Sequence, residues 1–232
     1  MINDIKIEIC CGSYEDCLTA LEFPVDRIEL NSALELGGLT PMLATLQKIK
    51  SQSDIPICCM VRNRGGDFCY SEQEFELMLK EGQLLLENGA DGLVFGCLKE
   101  DETINCVQCS EMVELAKHYR KQIVFHKAFD QTDMNRSIEQ LVSLGIDRIL
   151  TSGGENYPNI LQGAKMLEKL NADYGHSIEI LPGGGVRKDN ICDLLKETNI
   201  KQVHMSASVI KKGFKQVDKE KLKGILDCLY KL

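Results

Sequence analysis

Three side chains that can hold charge or move protons follow one apolar run. The run, residues 123–125, is β-branched and aromatic, as is typical of a buried strand, and His126, Lys127 and Asp130 come directly after it. Histidine titrates near neutral pH, and a carboxylate close to it can hold or accept a proton. A lone histidine at a strand end is also common in protein cores. The prediction of a catalytic role therefore rests on the neighbouring residues Lys127 and Asp130. We therefore predict His126 and Asp130 as catalytic residues.

Further polar side chains alternate with apolar ones in other predicted strands. Glu8 and Cys10 share one face of the first strand, and Glu29 lies on the equivalent face of the second. Buried carboxylates are rare without a partner, so we expect Arg62, at the end of the third strand, to pair with Glu8 and Glu29. Two interpretations stay open: an ion network that only orders the protein, or a pocket in which a carboxylate and His126 act as general base and acid.

Loops rich in glycine and serine follow the last three predicted strands. They contain Ser152, the glycines 183–185 and Ser206. Exposed backbone N–H groups in such loops favour an anion, and glycine permits its close approach. The sequence thus predicts an anion site at Ser152, Gly183, Gly184 and Ser206, with Arg64 as a further cation, unless the glycines only make tight turns.

Strand-like and helix-like segments alternate along the whole chain, which predicts a parallel sheet covered by helices. Eight such pairs in 232 residues favour an α/β fold of the (β/α)8 TIM-barrel type, in a single domain of residues 1–232, over a doubly wound open sheet. In a barrel, active groups come from the carboxyl ends of strands. The predicted strands are 5–11, 25–31, 55–62, 92–96, 122–128, 148–152, 178–181 and 202–207.

Local signals mark several helix ends. Ser71 with Glu74 three residues later is a capping-box pattern, and Thr132 or Asp133 is expected to cap a later helix. Proline favours the first turn of a helix, so Pro41 and Pro158 predict two further starts.

Composition restricts the partners. The formal net charge of -8, without a dense block of lysine and arginine, argues against a nucleic-acid partner. The lysine-rich segment 215–223 also carries acids and is predicted to be a solvated helix face. No secretory signal is visible, and no segment has the roughly 20 apolar residues that span a bilayer. We expect a cytoplasmic protein with no membrane partner.

Eleven cysteines, an odd number, are typical of reduced thiols here and not of a disulfide framework. Thiolates select Cu(I), so a copper site is the alternative to a catalytic pocket. Adjacent strand residues point to opposite faces, so neither the pair Cys10-Cys11 nor the pair 58–59 can chelate alone. The residues by themselves leave open whether the thiols bind metal or only pack.

Five motifs in chain order resemble the CutC copper homeostasis protein family. They are residues 27–41 (RIELNSALELGGLTP), 64–71 (RGGDFCYS), 125–130 (FHKAFD), 148–153 (RILTSG) and 181–185 (LPGGG). The resemblance implies a TIM barrel, a cytoplasmic location, a homodimer and copper handling.

This chain departs from the family pattern at three positions. Cys10 matches a cysteine of the family's first strand, but Asn31 stands where many members have a second cysteine. Asn63 replaces a proline, and Lys127 replaces an arginine. The resemblance thus implies Cu(I) bound with Cys10 as its best remaining ligand. The alternative is an enzyme that uses the Glu/Arg/His pocket on a small anionic substrate, of which a phosphorylated compound is one example, and no organic cofactor is indicated.

Overall fold

The computed structural model describes residues 1–154, 159–211 and 213–232, so the helix start predicted at Pro158 lies outside the described residues. Eight parallel strands form the centre of the molecule, and each pairs with the next along the chain up to β7. They are β1 Lys6–Cys11, β2 Arg27–Leu30, β3 Ile57–Met60, β4 Gly92–Phe95, β5 Gln122–Phe125, β6 Arg148–Thr151, β7 Glu179–Pro182 and β8 Gln202–Met205.

The sheet curls into a nearly closed barrel because β1 also pairs with β8. At the remaining seam, between β7 and β8, the Gln202 side-chain amide donates to the Ile180 carbonyl oxygen at 3.1 Å. The predicted TIM barrel is confirmed. An open doubly wound sheet is wrong, since its first and last strands would not meet.

Eight α-helices in the described residues surround the barrel. Apolar strand residues that point outward, such as Ile7 and Ile9, pack with the helices in one large core. A small separate cluster of Cys58, Met60 and Val94 with Val124 fills part of the barrel interior. The helices are α1 Tyr14–Leu21, α2 Leu43–Lys50, α3 Glu72–Glu87, α4 Cys106–His118, α5 Met134–Leu144, α6 Ala164–Tyr174, α7 Ile191–Thr198 and α8 Lys219–Leu229. None of these helices is long and apolar enough to cross a bilayer.

Helix capping follows the sequence closely. Ser71 and Glu74 form the predicted capping box at α3, and Asp133 caps α5 by accepting the N–H of Asn135. Pro41 does not lie in the first turn of α2, which begins two residues later, after Met42.

Three predicted strands end two or more residues earlier than expected, and the first of them is β3, which stops at Met60. β5 stops at Phe125, because the His126 side chain accepts the Ala128 N–H and starts a short 3-10 helix, Lys127–Gln131. β8 stops at Met205, and the chain forms an unpredicted antiparallel hairpin of β9 Ser208–Lys211 and β10 Phe214–Val217. Lys215 therefore lies on a strand, which corrects the prediction that 215–223 is one helix face.

Candidate functional site

The barrel brings one thiol, one carboxylate and one imidazole together. Cys10, Glu29 and His204 each offer a ligand atom, and these atoms lie within 4.8 Å of one another. Pairing places Cys10 beside Glu29 on β1 and β2, and Glu8 beside His204 on β1 and β8. Since alternate strand residues share a face, all four side chains point to the barrel interior.

Hydrogen bonds hold this cluster in one arrangement. The Asn31 amide donates to Glu29 Oε1 at 2.6 Å and to Cys10 Sγ at 3.4 Å. The Cys10 thiol lies 3.7 Å from the same Glu29 oxygen. On the other side, His204 Nδ1 donates to Glu8 Oε1 at 2.7 Å and lies 3.7 Å from Glu29 Oε2. A carboxylate behind the imidazole fixes its orientation, as in many metal sites.

The two buried carboxyl groups are driven in opposite directions. Burial raises the pKa of Glu8, but the hydrogen bond from His204 and the charge of Arg27 outweigh it, and the pKa falls to about 2. Burial dominates at Glu29, whose pKa is raised, with the negative charge of Glu8 adding to the effect. Glu8 is therefore ionised at neutral pH, and Glu29 is the carboxyl group that can exchange a proton more readily.

The other two members of the cluster respond to these charges. Burial lowers the pKa of His204, but Glu29 and Glu8 together raise it above its ordinary value. Burial and the charges of Glu29 and Glu8 raise the pKa of the Cys10 thiol well above 9.0. Without a cation the thiol holds its proton at neutral pH, and a soft metal ion would have to displace that proton.

Arg27, and not Arg62, is the partner of Glu8. The guanidinium of Arg27 forms a buried ion pair with Glu8. Its Nη2 atom lies 3.4 Å from Gln202 Oε1. A second buried arginine, Arg148, pairs with Glu179 at 2.6 Å. The expected pairing of Arg62 with Glu8 and Glu29 is wrong because β3 ends at Met60, which places Arg62 in the following loop. Ion pairs of Arg27 with Glu8 and of Arg148 with Glu179 thus lie in the barrel.

Arg62 instead braces loops. Its guanidinium donates to the backbone oxygens of Leu36 at 2.9 Å and Gly66 at 2.7 Å. The same group lies over the Phe68 ring, 4.9 Å from its centroid, and that ring also contacts the His126 ring, at 4.7 Å between centroids. Burial and the nearby charge of Arg62 lower the pKa of His126 to about 3.

Asp130 belongs to a third group. It accepts from the Thr151 hydroxyl, and from the Ser152 hydroxyl at 2.7 Å and backbone N–H at 3.1 Å. Lys127 Nζ lies 3.7 Å from the same carboxylate. Burial raises the pKa of Asp130, although these hydrogen bonds oppose the effect.

Three separate groups therefore hold the predicted catalytic residues. Glu8 and Glu29 lie with Cys10, Arg62 contacts His126 through Phe68, and Asp130 binds Thr151 and Ser152. No direct hydrogen bond joins these groups within the described ranges. A catalytic role for Glu8, Glu29, Arg62, His126 and Asp130 stays a prediction.

A cavity of about 1130 Å³ opens over the carboxyl end of β8. Cys10 and His204 line it together with two of the predicted anion-binding residues, Gly184 and Ser206. Ser152 and Gly183 are not in its lining, and Arg64 is engaged elsewhere by Glu74 at 2.5 Å and Asp67 at 3.0 Å. Their anion-binding role stays a prediction. The full lining is Cys10, Lys127, Gly184, Gly185, Val186, Arg187, Lys188, Asp189, His204, Met205, Ser206, Ala207, Ser208, Glu220, Lys221, Gly224 and Ile225.

Arg27 and His204 are not among the predicted site residues. His204 alternates with Ser206 at the end of a predicted strand, which was a usable signal. Its companion Glu8 is 196 positions away, however, and only the pairing of β1 with β8 makes the two neighbours.

Comparison with known proteins agrees with this structure. The CutC family model matches residues 5–209. A CutC family protein of Treponema denticola is 44% identical over 207 residues, covering 89% of this chain and 82% of that protein. The human copper homeostasis protein cutC homolog is 37% identical over 206 residues, covering 88% of this chain and 74% of that protein.

A solved structure shows the same architecture. The crystal structure of CutC from Streptococcus agalactiae superposes with a TM-score of 0.81 at 31% identity, covering 86% of this chain and 97% of that one. With nearly the whole barrel matched in sequence and in structure, the chain belongs to the CutC family.

Proposed function

We propose that this protein acts in copper homeostasis and binds Cu(I) at Cys10, Glu29 and His204. The observation that carries the proposal is the convergence of these three ligand atoms within 4.8 Å, in a family whose relatives are named copper homeostasis proteins. Two of the three residues line the cavity over β8, which would give the ion a route from solvent.

The donor set fits a soft ion. Thiolate sulfur and imidazole nitrogen suit copper; the thiolate alone would neutralise Cu(I), and Glu29 would supply a third, harder oxygen donor. Asn31, with its amide 3.4 Å from Cys10 Sγ, occupies the place of the family's second cysteine. Because the site has one sulfur ligand where two would be expected, we infer that it binds Cu(I) exchangeably and not permanently.

An anaerobic competition titration against a Cu(I) chelator of known affinity tests the proposal. We expect Cys10→Ser to raise the Kd for Cu(I) at least tenfold, a loss of about 1.4 kcal/mol or more. Because the thiol must lose its proton on binding, wild-type affinity is expected to rise with pH between neutrality and pH 9. Cys69→Ser, a half-buried cysteine outside the cluster, is the matched control and should keep the wild-type Kd.

A second variant tests the same site by gain. Asn31→Cys would put a second sulfur beside Cys10, and we expect at least tenfold tighter Cu(I) binding. Equal affinities of wild type, Cys10→Ser and Asn31→Cys would remove the cluster as the copper site.

A further inference from the structure

We propose that the cavity over β8 binds a small phosphate monoester, with the phosphate held by the loop 184–187 and by the cations around it. The proposal does not depend on copper, since it rests on other residues of the cavity wall.

Charge is the first argument. Four cationic side chains line the cavity, Lys127, Arg187, Lys188 and Lys221, together with the two carboxylates of Asp189 and Glu220. A third carboxylate, that of Asp130, lies 3.7 Å from Lys127 Nζ, so the cations still outnumber the acids by one. The cavity is thus locally positive in a chain whose formal net charge is -8. A concentration of cations against the sign of the whole molecule favours an anionic ligand at this place.

The loop after β7 offers backbone N–H groups to a ligand. Gly184 and Gly185 lie in the left-handed region, with φ of 95° and 83°, where glycine is favoured. In the part of the chain that the structure describes, the N–H groups of Gly184, Gly185 and Val186 have no intramolecular acceptor. Free N–H groups in succession are a common means of holding phosphate oxygens.

A buried side chain fixes this loop from behind. Asn190, 3% exposed, accepts the Arg187 N–H at 2.8 Å and donates to the Gly185 carbonyl oxygen at 2.9 Å. The arrangement occupies the loop's carbonyl and leaves its N–H groups to a ligand. Gly184 also lies against Lys127, since a Cβ at position 184 would come 2.8 Å from Lys127 Nζ. Loop and cation therefore converge on one corner of the cavity.

Size and apolar lining indicate that the ligand is more than a phosphate ion. A volume of about 1130 Å³ is slightly larger than the roughly 300–1,000 Å³ of pockets that hold whole small molecules. Val186, Met205 and Ile225 supply apolar walls beside the charged corner. A phosphate monoester would place its phosphate on the loop and its organic part along these walls, toward Cys10 and His204.

Titration calorimetry at low ionic strength tests the site, with inorganic phosphate and glycerol 3-phosphate as probes. We expect both to bind, the ester at least as tightly as the ion, and Arg187→Ala and Lys188→Ala each to weaken both about fivefold or more. Both side chains are exposed, so the variants should fold. Arg136→Ala removes an equally exposed arginine from α5, outside the cavity, and should change the Kd less than twofold.

Three results would overturn the proposal: no binding of either probe, exclusion of the ester while phosphate binds, or equal affinities of Arg187→Ala and Arg136→Ala. A Cu(I) titration of Arg187→Ala separates the two proposals. Arg187 is not among the proposed metal ligands, so copper affinity should be retained whichever way the phosphate experiment turns out.

Discussion

At the scale of single residues, the barrel interior holds charges that are stable only as a set. Glu8 is 3% exposed and lies between the guanidinium of Arg27 and the imidazole of His204. An unpaired carboxylate at this depth would be strongly unfavourable, so the two partners are what keep it ionised. The same anion raises the pKa of the neighbouring Cys10 thiol. The network that orders the barrel thus also sets the chemistry of the candidate copper ligands.

His126 makes stability depend on pH, because it is buried as a neutral ring. Its pKa falls from the ordinary 6.5 to about 3 in the folded protein. Between these values the unfolded chain binds the extra proton, so the free energy of unfolding falls as the pH falls through this window, by about 1.4 kcal/mol per pH unit. Glu8 acts in the same direction only below its ordinary pKa of 4.5.

Urea denaturation of wild type and His126→Asn at pH 7.5 and pH 5.5 tests this linkage. Asparagine can still accept the Ala128 N–H but does not titrate. On going from pH 7.5 to pH 5.5, we expect the free energy of unfolding of wild type to fall by about 1 kcal/mol more than that of the variant. Equal losses would mean that His126 is not the group that titrates in this range.

At the scale of elements, loops and not strands decide how the site is arranged. Close backbone approach after β6 is an example: a Cβ on Gly163 would lie 1.9 Å from the Ser152 carbonyl oxygen, and one on Gly153 would lie 2.4 Å from the Gly163 oxygen. These glycines let the loop that carries Ser152 pack directly on the 3-10 helix Ile160–Gly163, and Ser152 in turn holds Asp130.

Gly163→Ala is therefore expected to lower the free energy of unfolding by about 2 kcal/mol, since the backbone must shift to admit a methyl group. Gly224→Ala is the control, because its nearest neighbour would be Lys188 Cδ at an ordinary 3.5 Å and alanine favours the helix α8. We expect that change to raise stability by up to about 1 kcal/mol. Chemical denaturation of both variants and of wild type measures these changes in the free energy of unfolding. A harmless Gly163→Ala would contradict the close contact.

At the scale of the whole molecule, closure of the barrel creates the site. Cys10 and Glu29 come from the first two strands and His204 from the last, and only the pairing of β1 with β8 joins them. The cavity beside them is likewise formed by the loops after β5, β7 and β8 together with α8. No single segment of the chain contains either.

Self-association is the prediction that belongs to this scale. Ile210 on β9 and Phe214 on β10 are 75% and 42% exposed, and the hairpin adjoins Leu36, 57% exposed, through the bond from Lys215 N to Glu35. An exposed apolar patch of this kind is typical of an interface. We expect sedimentation velocity to give twice the chain mass of 26.0 kDa, and Ile210→Glu to give the mass of one chain.

The matched control is Val107→Glu, which removes a similarly exposed apolar side chain, 70% exposed, from α4. It should leave the dimer intact. A wild-type mass of 26.0 kDa would contradict the homodimer, and loss of the dimer in both variants would contradict the hairpin as its interface.

Local sequence patterns are sufficient to predict the barrel and the identity of much of its polar interior. Alternating apolar runs and helix signals are local, so the strand order, the capping box at Ser71 and the inward face of Glu8, Cys10 and Glu29 could be predicted. Strand ends could not, because they depend on tertiary contacts: the prediction carried β5 past His126 and missed the hairpin after β8.

Which charged side chains become neighbours depends on the tertiary structure. Arg62 has the same charge as Arg27, and nothing local distinguishes them as partners for Glu8; the register of β1 with β2 does, since it sets Glu8 beside Arg27. His204 joins Cys10 and Glu29 for the same kind of reason, through the closing pair of β1 and β8. A sequence specifies the face on which a side chain lies, whereas the neighbour across that face is fixed by strand register and barrel closure, which are properties of the whole fold.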